Sequence, residues 1–341
     1  MKTTIRDIAE AAGVSAMAVS AVLNGTGSNV KVSPEKAEHI RKIARELRYR
    51  PNHLARSFRS QRTNMVGVVF QHFDRLGEER PYYPQLLNGV MAALFPADCA
   101  LALCPKLILG SDAGSISDGR FDGVLWCRPD YDDASIEAIR SSSVPVVTMH
   151  APPGFLPGIP SFCADNDGAM RHVVKHLKSL GHRRIAYVIE PINEKAMEGR
   201  ARRDALVTAA LAEGLAPDTL VWDEQCLEVQ DYAGSNPPHT ALVCFSDTLA
   251  GRLLKACERY GISVPHDLSV VGFDSSSFCE STKPRLTSVN QPVESMAYAA
   301  TLHLLSLIRE VAEGTPPSPT VSSIYDCGLD VRESTAPPRT Q

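Results

Sequence analysis

Much of what this chain lacks is decisive. Its nine cysteines are scattered, with no CxxC pair and no Cys/His cluster at zinc-ligand spacing. That excludes a disulfide scaffold and a structural metal, and leaves free thiols in a reducing compartment as the expectation. No apolar run approaches the roughly 20 residues of a membrane-spanning helix. The opening MKTTIRDIAE has no apolar signal core either, so a cytoplasmic location is expected. Phosphate-binding and hydrolytic signatures are missing too: no P-loop, no GxGxxG after a strand, no HExxH and no GxSxG. The ten histidines show no spacing that pairs a nucleophile with a base. No enzyme, no cofactor and no metal are expected. There is no long internal repeat and no low-complexity tract.

What is present is unevenly distributed. The 341 residues suffice for two or three domains with real cores. Residues 1–62 hold 12 Lys and Arg against 5 Asp and Glu, whereas the remainder holds 23 against 34. A basic end on an acidic body points to a polyanion partner for the first segment alone.

The first 60 residues read as helices. Thr4 is placed to cap a first helix, with Asp7 completing an acidic capping box, and Ile5, Ile8, Ala9 and Ala12 form its apolar stripe. Gly13 supplies a tight turn. Ser15 caps a second helix that runs to Asn24–Gly25, and Ser33–Pro34 opens a third with Ile40, Ile43, Ala44 and Leu47 inward. From Met65 onward, apolar runs alternate with helical patterns. Strands are expected at 65–70, 100–103, 123–127, 145–149, 184–190, 240–245 and 268–274, with helices such as 167–181 and 247–261 between some of them. Such β–α alternation argues for parallel sheets covered by helices, in two lobes at this length.

The pieces TIRDIAEAAGVSAMAVSAVLNG and VSPEKAEHIRKIARELRYRPNHLARSF strongly resemble the DNA-binding head of the lactose-repressor (LacI/GalR) family. YYPQLLNGV, ADNDGA, HLKSLGHRRIAYV, VPHDLSVVGFD, PRLTSVNQP and VRESTAPP extend the resemblance across nearly the whole chain. The fold it implies is an all-α helix-turn-helix head plus an α/β two-lobed core with parallel sheets, like that of periplasmic binding proteins. The implied divisions are a head at 1–50, a hinge helix or linker at 51–62, an effector-binding and dimerisation core at 63–334, and a loose tail at 335–341. The implied function is a sequence-specific transcriptional regulator, most often a repressor. It would bind near-palindromic double-stranded DNA as a homodimer and be gated by a small effector such as a sugar. The alternative is an ungated DNA-binding protein whose core only dimerises.

On the second helix, Val19, Val22 and Leu23 fall on one side and are expected to face the core. The opposite face is Ala16, Met17, Ser20, Ala21 and Asn24, of which only Ser20 and Asn24 can hydrogen-bond a base. Relatives carry longer polar residues there. Alanine and methionine methyls still discriminate by packing on the thymine methyl, but more weakly than a bidentate arginine. The resemblance implies DNA contacts from Thr4, Arg6, Ser15 and that face, and from Arg50, Asn52, Ala55, Arg56 and Phe58 toward the hinge. Phe58 takes the place of the family's minor-groove wedge, a role that would put much of the specificity into DNA deformation. Its other reading is an interdomain core residue. Lys2 and Lys31 join Arg6, Arg50 and Arg56 as phosphate-facing candidates.

In the core, the resemblance implies effector contacts from Asp274, which ends LSVVGFD, and from an arginine opening the helix RARRDALVTAALAEGL. Alignment puts that arginine at Arg203, although Arg200 and Arg202 blur the register. Asp165 in ADNDGA and Asp247 after TALVCFS are further candidates, and Asp247 reads equally well as a helix N-cap. Tyr82, Tyr83 or Phe73 could stack on a ring, or pack in the core. Two segments depart from the family: 104–123 is Gly/Ser-rich and short, and 222–240 looks truncated. The second departure implies an altered pocket or one no longer used.

Overall fold

The computed structural model describes residues 3–24, 30–50, 62–70, 82–104, 116, 118–128, 131–234, 236–316 and 318–339. The chain divides into two compact units, Met1–Thr63 and Asn64–Gln341.

In the first unit, helices span Ile5–Ala12, Ala16–Asn24 and Pro34–Glu46. The Thr4 backbone N–H donates to Asp7 Oδ2 at 2.7 Å and Asp7 N–H donates back to Thr4 Oγ1, which closes the capping box. Gly13 stops the first helix at φ 64°, in the left-handed region that glycine tolerates. Ser15 Oγ accepts from Ala18 N–H at 3.2 Å, and Pro34 takes the first turn of the third helix behind the Ser33 cap. Ile8, Ala9, Val19, Ile40, Ile43 and Ala44 form the core. Leu47, expected inward, is instead exposed: it ends the third helix, and its carbonyl accepts from the Thr3 hydroxyl.

The second unit is an α/β body. Its strands are β1 Met65–Val69, β2 Ala100–Leu103, β3 Gly123–Trp126, β4 Val146–Met149 and β5 Ser161–Ala164. They continue with β6 Arg184–Ile189, β7 Ala216–Val221, β8 Ala241–Cys244, β9 Ser269–Phe273 and β10 Thr287–Asn290. The short β11 Ser322–Tyr325 and β12 Gly328–Asp330 follow. Among the described residues these make two six-stranded sheets, β11-β5-β4-β3-β1-β2 and β12-β10-β9-β8-β6-β7. All pairings are parallel except β10 with β12. The chain passes between lobes after β5, after β10 and after β11, so three crossings join the two sheets.

The long helix Val293–Glu313 packs against Tyr82–Leu94 and under β3–β5. A β-carbon on Gly89 would collide with the Glu294 carbonyl, so glycine is what lets these two helices approach closely. Each expected strand forms, but β5, β7, β10, β11 and β12 are additional. β7 carries Pro217 at a sheet edge, and β11 and β12 are also edges, where polar residues and short runs blur the pattern. The C-terminal segment is not loose where it is described. Ser334 is fully buried, donating to Val270 O and accepting from Thr287 N–H, and Thr335 and Ala336 meet His176 and Ser269. Polar side chains there satisfy the backbone of β9 and β10.

Candidate functional site

The two lobes enclose a cavity of about 810 Å³. It lies at strand carboxyl ends, where open α/β sheets gather ligands. The N-terminal lobe contributes Tyr82 and Tyr83 from the start of their helix, Cys127 after β3, and His150 after β4. The opposite lobe supplies Glu198 and Arg202 from the helix Met197–Ala212, Phe245 after β8, and Asp274 after β9. Glu190, Arg252, Lys255, Glu224 and Gln225 line it as well.

Arg202 is 4% exposed and its guanidinium is already engaged within the protein. It donates to Phe245 O at 2.7 Å and to Gln291 Oε1 at 3.2 Å, and its Nε lies 3.4 Å from Glu198. Its carbon centre stacks 3.6 Å from the Phe273 ring centroid, with Phe245 at 4.9 Å. Glu198, 2% exposed, also accepts from Asn166 at 3.0 Å and faces His150 Nδ1 at 3.6 Å. Burial pushes its carboxyl up, but the His150 and Arg202 partners prevail and hold it below the ordinary value. His150 Nε2 lies 2.7 Å from the Tyr82 hydroxyl. Polar side chains therefore line up across the cleft, Tyr82 hydrogen-bonded to His150, His150 facing Glu198, and Glu198 facing Arg202.

Asp274 is 6% exposed, and its Oδ1 has no hydrogen-bond partner. Its backbone sits at φ 114°, a region that costs a non-glycine residue energy and concentrates at functional positions. Burial pushes its carboxyl well above the usual range; Arg202 opposes this, while Asp247 and Glu198 add to it.

Three expected effector residues stand elsewhere. Arg203 points away from the cavity and pairs with its neighbour Asp204 at 2.8 Å; Arg202, one position earlier, is the arginine of the cleft. A one-residue register error turns a helical side chain by about 100°. Asp165 caps the helix Asn166–Ser179, accepting from Gly168 N–H at 2.9 Å. Asp247 is sealed from solvent, the first residue of the helix Asp247–Arg259, whose cap is Ser246. It accepts from Ser276 N–H and Oγ, each at 2.9 Å, and from Ser288 Oγ at 2.5 Å, so its role is to hold the loop after β9. Tyr82 and Asp274 do line the cavity. Phe73 lies outside the described residues. The segment 222–240 forms a short 3-10 turn, Leu227–Tyr232. It buries Trp222, Cys226, Val229 and Tyr232 against the helix Asp247–Arg259, and Glu224 and Gln225 border the cleft.

In the head, Arg6, Ser15, Ala16, Met17, Lys31 and Arg50 are exposed, and Ala21 partly so. Ser20 is 5% exposed, which corrects its placement on the outward face. The core-facing direction lies between Val19 and Ser20, and a small side chain fits that close approach. Met17, 66% exposed, is the most prominent apolar side chain of the second helix. Thr4 serves as a cap. The Asn24 side chain, Lys2, Asn52, Ala55, Arg56 and Phe58 lie outside the described residues.

A helix-turn-helix head and a two-lobed, ligand-cleft core on one chain define the class of ligand-responsive DNA-binding regulators. Residues 4–52 match the bacterial regulatory proteins of the lacI family, and residues 174–335 match the periplasmic binding protein-like domain. The HTH-type transcriptional regulator CelR of Thermobifida fusca is 30% identical over 347 residues, covering 98% of each chain. This chain belongs to the lacI family and is a transcriptional regulator of the helix-turn-helix type. A solved CelR–cellobiose complex is 27% identical at a TM-score of 0.68, covering 98% of this chain and all of that one. The lac repressor dimer bound to operator and the anti-inducer ONPF superimposes at a TM-score of 0.82 with 20% identity, again over 98% of this chain and all of the other. That last likeness establishes the fold.

Proposed function

We propose that this protein acts in the cytoplasm as a homodimeric repressor, without enzymatic activity, whose affinity for a near-palindromic operator is set by a small molecule in the interlobe cleft. One observation carries the reading: side chains from both lobes meet around a single cavity large enough for a disaccharide-sized ligand. A ligand that touches both lobes binds their closed and open arrangements differently, and that difference is the free energy available to alter operator binding. The relatives support it, since a CelR structure holds cellobiose and a lac repressor dimer sits on its operator. Contacts to DNA are assigned to Arg6, Ala16, Met17, Ala21 and Arg50, and to Asn52, Ala55, Arg56 and Phe58 by resemblance. Selection of random duplexes by the purified protein tests the DNA half: a palindrome with a flexible central step is expected, and sequence-independent retention would refute it. Titration of that duplex with saccharides, read by fluorescence anisotropy, tests the gate.

A second reading, a core that only dimerises, draws on the engagement of Arg202 by Phe245, Gln291 and Glu198. A thermal-shift screen separates the two, because any ligand of the native state raises its melting temperature; a screen of saccharides and nucleosides with no shift favours the dimeriser.

A further inference from the structure

Among the described residues, acidic side chains outnumber basic ones at the closed end of the cleft. Three buried carboxylates, Glu198, Asp247 and Asp274, stand against one buried guanidinium, Arg202, with the His150 ring beside them. Asp247 is satisfied by serine donors, whereas Glu198 accepts from Asn166 at Oε2 and faces Arg202, its buried Oε1 having no hydrogen-bond partner. Asp274 Oδ1 is likewise buried and unpartnered, and the residue lines the cavity. A buried carboxylate left without a donor is costly, so it takes up a proton or a cationic partner. Arg202 is close enough to influence it, but spends its hydrogen bonds on Phe245 and Gln291 and pairs with Glu198. Among the described residues the other cations on the wall are Arg252, which pairs with Glu190, and Lys255. Among the described residues the site thus offers a ligand aromatic faces and two buried carboxylates, each with an unpartnered oxygen, beside a guanidinium largely engaged within the protein.

Resting on the cleft reading above, we infer that the effector carries a protonated amine, as an amino sugar or another amine-bearing polyol does, and that this amine docks on the Asp274 carboxylate with Glu198 beside it. The ammonium supplies the donors that Asp274 lacks and balances the local charge, while Tyr82 and Phe245 flank the remaining apolar surface. A carboxylate or phosphate ligand would meet unfavourable charge at the same place. In the empty cleft burial favours the protonated form of Asp274, opposed by Arg202 and reinforced by Asp247 and Glu198 on its own lobe, with Tyr82, His150 and Cys127 facing it from the other. Docking of an ammonium then ionises the carboxyl and expels its proton.

The test uses the full-length protein and two isosteric probes, the β-1,4-linked glucosamine disaccharide and cellobiose, titrated calorimetrically at a pH that keeps the amine charged. The amino disaccharide is expected to bind at least about tenfold tighter, with proton release seen as a dependence of the heat on buffer ionisation. Asp274→Asn is expected to abolish both the preference and the proton release. Because that variant removes a buried carboxyl whose Oδ1 has no partner, its empty form is expected to melt no lower than the parent. Glu198→Gln provides a second variant, with a reduced preference. Cellobiose binding as tightly as the amine, binding of neither, or a preference that survives Asp274→Asn would each overturn the inference. Were the amine to bind as expected and leave operator affinity unchanged, the ligand assignment would stand and the gating reading would fall.

Discussion

The Tyr82 hydroxyl and His150 Nε2 lie 2.7 Å apart, and the other ring nitrogen of His150 faces Glu198 across the cleft at 3.6 Å. Tyr82 opens the helix Tyr82–Leu94, which packs on Val293–Glu313, so a hydrogen bond at the cleft floor is tied to the main helix pair of the N-terminal lobe. His150→Ala breaks the link between lobes while leaving each sheet intact. Faster amide hydrogen exchange is expected around residues 82–94 and 198–202, with the central strands β1 and β8 unchanged. Tyr82→Phe is expected to give a smaller version of the same effect, losing about 1 kcal/mol of stability. Exchange that accelerates uniformly across both sheets would mean the pair only supports the fold.

Removing the carboxylate that Arg202 needs is the more damaging change. Glu198→Ala strands a buried guanidinium, and breaking one half of a buried pair costs about 3–5 kcal/mol. Urea unfolding of the core should register a loss of that size. A double change, Glu198→Leu with Arg202→Met, removes both charges and is expected to recover most of it. If Glu198→Ala unfolds like the parent, water enters the cleft to serve Arg202, and the pair is not insulated as its burial implies.

Architecture was legible because long signals agree: the capping box at Thr4 and Asp7, the 3.6-residue stripes, and the β–α alternation from Met65 onward. The site was less so, because side-chain direction depends on single-residue register. Arg203 came from aligning a motif in which three arginines crowd together. The helix itself carries the answer, since Ala205, Leu206, Ala209 and Ala210 are buried and Glu198 and Arg202 extend the same face by steps of three and four. That periodicity picks Arg202 without any alignment. Asp165 and Asp247 were drawn by motif as well, yet acids at helix starts commonly satisfy backbone donors, and both serve local structure. His150 had no local signal: it follows a buried strand in an unremarkable loop, and only the fold brings it to Glu198.

His182 makes stability depend on pH. Its ring is buried between Thr240 Oγ1 at 2.8 Å and Ala336 O at 3.0 Å, and burial pushes its pKa down to about 4. Between the unfolded value near 6.5 and the folded value, the unfolded chain binds the extra proton. The stabilisation is therefore complete above the unfolded value and is lost as pH falls through that window toward 4. Urea midpoints measured from neutral pH down to 4 should decline, and His182→Asn should flatten the slope across that window. A slope that His182→Asn leaves untouched would assign the effect to His176, His239 or His303, which burial also depresses.

Selectivity for DNA is the last matter, and the second helix of the head frames it. Its outward surface offers Met17 and alanines, with Ser20 turned inward, so the described part of that face is poorer in hydrogen-bonding groups than its spacing implied. A methyl packed on a thymine is worth less than the roughly 1–3 kcal/mol of a bidentate arginine–guanine pair. Met17→Ala should therefore weaken discrimination between the selected operator and random duplex by less than about tenfold. A wedge that opens a base step selects flexible sequence through deformation energy, a larger lever than one methyl contact. Phe58→Ala is accordingly expected to lose more than about tenfold of that discrimination, chiefly at the central step of the operator. Anisotropy titrations at a fixed salt concentration measure both variants on matched duplexes, since phosphate contacts dominate raw affinity and vary steeply with salt. Equal losses for the two variants would return the specificity to the major groove and to the methyl contacts of Met17.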